Sequence, residues 1–212
     1  MKATVKTGMP RVLRYAFFFL TLGTLLVLVL NLTAYFGISS DGWFLRGEVA
    51  TQGLSPQSTL PMPDQGEMRV YDFKESRLVM LDFATARSFF QVRHLAYLLF
   101  QNLTWALVAF VLYQMYRIFS NLEARGTFRD DNVRRLRWIA LAILFYPFVS
   151  LESELLFKSI VSKLPGHGLS FSSVYVVTEQ MLFGLFVSLV VYALSEVFRY
   201  GTQLQQEQDL TI

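Results

Sequence analysis

Two glutamates, Glu152 and Glu179, are the residues whose type and position best suit chemistry in this sequence. Each falls within or at the edge of a long apolar run, where charged side chains are rare. An ionised carboxylate at the centre of a bilayer costs on the order of 2.5–3.5 kcal/mol on insertion scales, so it must be paired, hydrated or protonated. If the two glutamates share a depth, they can enclose a proton or cation site.

A packing role for the same residues is the alternative. Glu179 can be protonated, or it can form a hydrogen bond with Asn31, Asn102 or a threonine of another helix. Gly184 and Ser188, four residues apart, form a small-xxx-small pair that is typical of a contact between helices. Packing and ion movement therefore both remain open for Glu179.

A cluster of arginines is the second group that can bind a ligand. Six arginines lie between Arg117 and Arg137, in a short polar stretch that separates two apolar runs. Asp130 and Asp131 stand where the next helical pattern begins, and acidic side chains favour the positive end of a helix dipole. The arginines can contact anionic lipid phosphates or a protein, although anchoring of the helices alone also explains them.

The arginine-rich stretch and the C-terminal segment are candidates for a single docking surface. Gly126 permits a turn before Phe128, which can insert at the membrane interface. Glu207 and Asp209 carry charge opposite to that of the arginines. The candidate residues of this surface are Gly126, Phe128, Asn132, Arg134, Arg135, Arg199, Gly201, Glu207 and Asp209.

Motifs of common enzyme classes are missing from the sequence. Cysteine is absent, which excludes disulfides, thiolate metal sites and cysteine nucleophiles. The chain has no P-loop, GxSxG, HExxH or Rossmann fingerprint, and no nucleic-acid signature accompanies its net charge of +3. The sequence therefore predicts a protein that is not an enzyme, uses no cofactor or metal, and binds no nucleic acid directly.

The distribution of apolar residues predicts a membrane protein. Hydrophobic residues make up 53% of the chain and charged residues 17%. The apolar residues concentrate in four runs at about 15–36, 95–119, 138–155 and 171–198, each close to the ~20 residues needed to cross a bilayer. The first run is too long for a secretory signal. We expect an all-α membrane fold, a bundle of four transmembrane helices forming one domain over residues 1–212.

The segment between the first two apolar runs, residues 37–83, has a different composition. Prolines and glycines interrupt it, and three stretches within it resemble short strands: Trp43 to Val49, Glu67 to Phe73 and Arg77 to Phe83. The last two can pair as a hairpin. The sequence therefore predicts a small β-rich insertion between helices 1 and 2.

The distribution of basic residues predicts the orientation. Four Lys and Arg residues precede the first run and six lie between the second and third, whereas the turn after the third run has only Lys158 and Lys163. Basic residues close to spans favour the cytoplasmic side. Both termini, the connector at 120–137 and the tail at 199–212 should be cytoplasmic, and the insertion extracytoplasmic.

Two stretches resemble the bacterial DUF2975 membrane proteins. Residues 125–137, RGTFRDDNVRRLR, are similar to the family connector G-x-F-x-x-x-N-x-x-x-L. Residues 196–212 are similar to its ending, E-x-F-R-x-G-x-x-L-x-x-E-x-D-L-T-[IV]. The resemblance implies a four-span protein of the bacterial inner membrane with no assigned activity. Some relatives are encoded beside small helix-turn-helix regulators, which implies membrane-linked regulation, with such a regulator or another protein as a cytoplasmic partner.

These observations favour a regulatory or partner-binding membrane protein that uses the connector and the tail as its docking surface. A small transporter or ion-conducting oligomer using Glu152 and Glu179 is the alternative. A structural role in the envelope, through the external β element, is a third hypothesis.

Overall fold

The computed structural model describes residues 8–35, 43–49, 51–52, 59–61, 67–73, 76–83, 86–125, 129–162, 170–171 and 174–210. The elements are, in chain order, helix α1 (Gly8–Tyr35), strands β1 (Trp43–Val49), β2 (Thr51–Gln52), β3 (Thr59–Pro61), β4 (Glu67–Phe73) and β5 (Ser76–Phe83), helices α2 (Ala86–Phe89), α3 (Val92–Arg125) and α4 (Asp130–Val161), strand β6 (Ser170–Phe171) and helix α5 (Val174–Leu210).

Helices α1, α3, α4 and α5 are the four in the described part of the chain that are long and apolar enough to cross a membrane. The predicted fold, four such helices with a β insertion between the first two, is confirmed. It is the pattern of a multi-pass membrane protein. The 32 residues of α4 and the 37 of α5 rise about 48 and 55 Å, well beyond a ~30 Å hydrocarbon core.

The chain forms two compact units. The helical unit consists of Met1–Val27, Trp105–Pro147 and Gln180–Ile212, and the sheet unit consists of Leu28–Thr104 and Phe148–Glu179. Each unit contains segments of all four long helices.

The sheet unit contains an antiparallel four-stranded sheet in the order β1-β5-β4-β3. The predicted hairpin is confirmed, because β4 pairs with β5 and Phe73 lies opposite Ser76 at the turn. β1 pairs along the other edge of β5, which makes β5 a central strand. The short strands β2, β3 and β6 were not predicted, and β2 pairs with β6 in a second, two-stranded sheet.

One face of this sheet is covered by helix residues. Val79 and Leu81, two residues apart on β5, point to the same side and are buried, as strand alternation requires. The Tyr97 hydroxyl of α3 donates a hydrogen bond to the Arg46 carbonyl of β1. The Tyr97 ring lies 5.1 Å from the ring of Phe157 on α4. The buried core of the unit is Leu45, Val79, Leu81, Phe89, Tyr97, Leu98, Phe157, Ile160 and Val161.

A corner separates α2 from α3, so the helical segment that leads into the second apolar run is interrupted. The backbone leaves the helical path at Phe90 and Gln91, and α3 starts where the Leu95 amide donates to the Gln91 carbonyl at 3.0 Å. The buried side chain of His94 bridges the corner, since its Nδ1 lies 3.0 Å from the Phe89 carbonyl. This tertiary contact is not visible in the local apolar pattern.

In the helical unit, α1 packs on α3 through aromatic rings. Phe17 stacks on Phe119 with ring centroids 5.4 Å apart, and Phe18 lies 5.7 Å from Tyr116. Most other side chains of α1 are exposed, as expected for a helix whose remaining surface faces lipid.

Candidate functional site

The hairpin of α3 and α4 in the helical unit is joined by a pair of asparagines, the buried Asn132 and the partly buried Asn121. The Asn121 Nδ2 donates to the Asn132 Oδ1 at 3.0 Å, and the Asn132 side chain is 0% exposed. Helix α4 begins as predicted, with Asp130 and Asp131 in its first turn and the amides of Asn132 and Val133 bonded to the Arg129 carbonyl. Asn132 therefore holds the hairpin together from its interior, and its side chain is not part of the surface.

A second polar contact joins the same two helices one turn further from the connector. The Arg135 Nη1 donates to the Oε1 of the buried Gln114 at 2.8 Å. The Arg135 Nε is buried, and it has no hydrogen-bond partner among the residues that the structure describes. The guanidinium of Arg135 is therefore directed toward α3.

An ion-pair network ties α4 to α5. The Glu196 carboxylate lies between two arginines, with Oε1 2.8 Å from the Arg137 Nη2 and Oε2 2.8 Å from the Arg199 Nη2. All three side chains are partly exposed. The sequence singled out Arg199 but not Glu196. The network carries one net positive charge, and it links α4 to α5 within the helical unit.

The same two helices also pack directly on each other. A Cβ added to Gly184 of α5 would lie 3.1 Å from the Pro147 Cγ of α4, so a larger residue there requires the proline ring to shift by a few tenths of an ångström. The predicted packing role of Gly184 and Ser188 is confirmed, since both are buried. Contacts at 137–196 and at 147–184 show that the helices run antiparallel here.

Small residues continue along this face of α5. Ser188, Ser195 and Thr202 follow one another at intervals of seven residues, and all three are buried. The hydroxyls of Ser195 and Thr202 donate to carbonyls of their own helix at 2.7 and 2.9 Å, so each keeps a hydrogen bond although it is buried. The sequence indicated only the first part of this stripe.

The segment at 199–212, which we expected to be a tail after the apolar run at 171–198, is helical as far as Leu210, so the predicted boundary is wrong. The helix continues through Gly201 to Leu210, because the buried stripe reaches Thr202 and the following glutamines are good helix formers. The six residues after Thr202 form an exposed polar extension of the helix: Gln203, Leu204, Gln205, Gln206, Glu207 and Gln208. Asp209 lies on the same helix.

A groove of about 510 Å³ lies between α4 and α5. Arg134 and Arg137 line the end of the groove that is nearest the start of α4. The rest of the lining is mostly apolar. Arg134 is exposed. The remaining lining residues are Trp138, Ala140, Leu141, Leu144, Ser188, Leu189 and Tyr192.

The intramembrane candidates belong to the sheet unit. Glu152 is exposed on α4, and Glu179 lies on α5 with its side chain outside the described part. Asn31 is half-buried on α1. The Asn102 Nδ2 donates to the Leu98 carbonyl at 2.7 Å, whereas its buried Oδ1 has no partner within the described residues.

Polar pairs other than the predicted carboxylates occur in this unit. The Ser153 Oγ donates to the Gln101 Oε1 at 2.9 Å. Glu154 and Lys158, four residues apart on α4, form an ion pair at 2.6 Å. Over the described ranges, no group of His, Asp or Glu side chains has metal-binding geometry. The candidates Gly126 and Phe128 lie outside the described residues.

Comparison with protein families gives one result. The family model described as "Protein of unknown function (DUF2975)" matches residues 54–212, which is most of the chain and includes every element from β3 onward. No curated protein and no solved structure matches the chain.

Proposed function

The chain belongs to the DUF2975 family, whose function is unknown, and from this premise we propose that it is a non-enzymatic membrane protein with a regulatory or partner-binding role. Its docking surface is the polar extension of α5, residues 203–208, together with Asp130 and Asp131, the exposed residues in the first turn of α4. The partner is a cytoplasmic protein, and a helix-turn-helix regulator is the partner that the family resemblance favours.

The exposed extension of α5 is the observation that carries this proposal. An isolated helix of only about eight residues is marginal in water. Helix α5 nevertheless continues for about eight residues past Thr202, the last buried side chain among those whose exposure the structure describes. The extension is rich in glutamine and mostly uncharged, which suits hydrogen bonding to another protein rather than contact with lipid tails. Its base is held by the pairing of Glu196 with Arg137.

The orientation is part of the proposal. The arginines of the connector and the basic N-terminal segment favour the cytoplasmic side for the helical unit and for both termini. The membrane is then the bacterial inner membrane. The insertion at 37–83 would be extracytoplasmic, since it follows the first apolar helix.

Site-specific photo-crosslinking in living cells tests the docking surface. A photoreactive amino acid at Gln205, which is exposed on the extension, should give a discrete adduct with one protein. The same amino acid at Val92, an exposed residue of the sheet unit, is the matched control. The same adducts from both positions, or none from Gln205, would contradict the proposal.

A further inference from the structure

The groove between α4 and α5 is a concave and largely apolar surface of the helical unit. Its volume of about 510 Å³ falls within the range of roughly 300–1,000 Å³ that is common for small-molecule sites. Trp138, Leu141 and Leu189 line it and stay about half exposed, with 46%, 42% and 59% of each residue accessible. The helical unit therefore leaves an apolar channel along two packed helices.

The groove has the length of one membrane leaflet. It extends along α4 from Arg134 to Leu144, and ten residues of helix rise about 15 Å. A bilayer core of ~30 Å contains two leaflets of about that thickness. Trp138 lies one turn from Arg134. Tryptophan side chains favour the boundary between headgroups and acyl chains, so this spacing suits a basic residue at the headgroups and a tryptophan just below them.

The charge at the connector end of the groove is positive and incompletely neutralised. Glu196 is shared between Arg137 and Arg199, so these three side chains leave one net positive charge. Arg134 adds a second, and it forms no ion pair within the described part of the chain. An exposed guanidinium beside an apolar channel matches a molecule with a phosphate at one end and a hydrocarbon chain at the other.

We propose that this groove is a binding site for one anionic glycerophospholipid. The lipid phosphate contacts Arg134, and one acyl chain lies over Leu141 and Leu144 on α4 and Leu189 on α5. The site does not depend on the docking of a cytoplasmic protein, so the two proposals fail separately. A bound lipid at this position covers the α4–α5 seam and adds apolar contacts to both helices.

The test measures lipid binding to the purified protein in a neutral detergent by native mass spectrometry and by the shift in melting temperature. We expect one retained phosphatidylglycerol, with phosphatidylcholine binding at least several-fold more weakly. R134Q should lower the phosphatidylglycerol affinity roughly tenfold, since it removes a charge-assisted hydrogen bond, and R134K should retain most of the affinity. R117Q is the matched control, because Arg117 is an exposed arginine on α3 that does not line the groove.

A second pair of variants tests the apolar part of the site. L141W should fill the groove and weaken binding of both lipids, whereas L182W, at an exposed leucine of α5 outside the groove, should leave binding unchanged. Equal binding of the two lipids by the wild type would overturn the proposal, as would equal losses in R134Q and R117Q. A dimer that L141W dissociates, with no lipid retained by the wild type, would assign the groove to a second copy of the chain instead.

Discussion

Arg137 and Glu196 are 59 residues apart in the chain, and their side chains meet at 2.8 Å. The contact joins the first turns of α4 to the part of α5 from which the polar extension begins. Together with the contact of Gly184 with Pro147 further along the helices, it defines the register in which α4 and α5 pack antiparallel. The docking surface and the lipid groove both depend on this register.

Removing the Arg137–Glu196 pair should lower stability only slightly. Both side chains are partly exposed, so a double-mutant cycle with R137Q and E196Q should give a coupling of about 0.2–1 kcal/mol. The free energy of unfolding in detergent at low salt measures it, and the coupling should shrink at 0.5–1 M salt. E152Q, at an exposed glutamate of α4, is the control. A coupling that salt does not change would contradict an electrostatic interaction between Arg137 and Glu196.

The asparagine pair should matter more to stability. N132A removes the acceptor of Asn121 within a fully buried site, so we expect a loss of about 1–3 kcal/mol in the free energy of unfolding. If N132A unfolds at the wild-type temperature, the pair does not stabilise the hairpin.

The close approach of α5 to α4 can be tested at glycine. G184A places a methyl group 3.1 Å from the Pro147 ring, and overpacking of this kind costs about 1–3 kcal/mol when neighbours cannot move. G23A is the matched control, since no atom lies within 4 Å of the position of its Cβ, and alanine favours the helix there. We expect a lower melting temperature for G184A and an equal or higher one for G23A. The same response at both sites would argue against tight packing at Pro147.

Ion movement and packing predict different results for the variant E179Q. E179Q keeps the shape of the side chain and most of its hydrogen bonding but removes the titratable carboxyl group. If Glu179 only packs, the variant should accumulate to the wild-type level and leave the phenotype unchanged. In proteoliposomes, proton or cation flux that E179Q abolishes at normal abundance would favour the transporter. Full flux in E179Q would exclude a carboxyl-dependent pathway.

Much of the fold was predictable because membrane helices and strand pairs leave local signals. The four apolar runs, the β4–β5 hairpin and the acidic start of α4 at Asp130 follow from spacing over a few residues. The ends of the helices were not predictable in this way. Arg199–Gly201 resembles a helix terminus, yet Thr202 is buried on the next turn and the helix continues.

The candidate surface was predictable in composition but not in geometry. The arginines of the connector look equivalent in the sequence. In the structure, Arg135 binds Gln114, Arg137 binds Glu196, and Arg134 stays exposed beside the groove. These differences arise from contacts between residues that are 21 and 59 positions apart, which the local pattern does not contain.

Cysteine labelling of the intact membrane tests the central claim most directly, because the chain has no native cysteine. Gln205 is exposed on the α5 extension and Gln91 at the corner before α3 in the sheet unit. With a membrane-impermeant maleimide, Q91C should react in intact cells, and Q205C should react only after the membrane is permeabilised. Labelling of Q205C in intact cells, with Q91C protected until lysis, would place the proposed docking surface outside the cytoplasm and contradict the account.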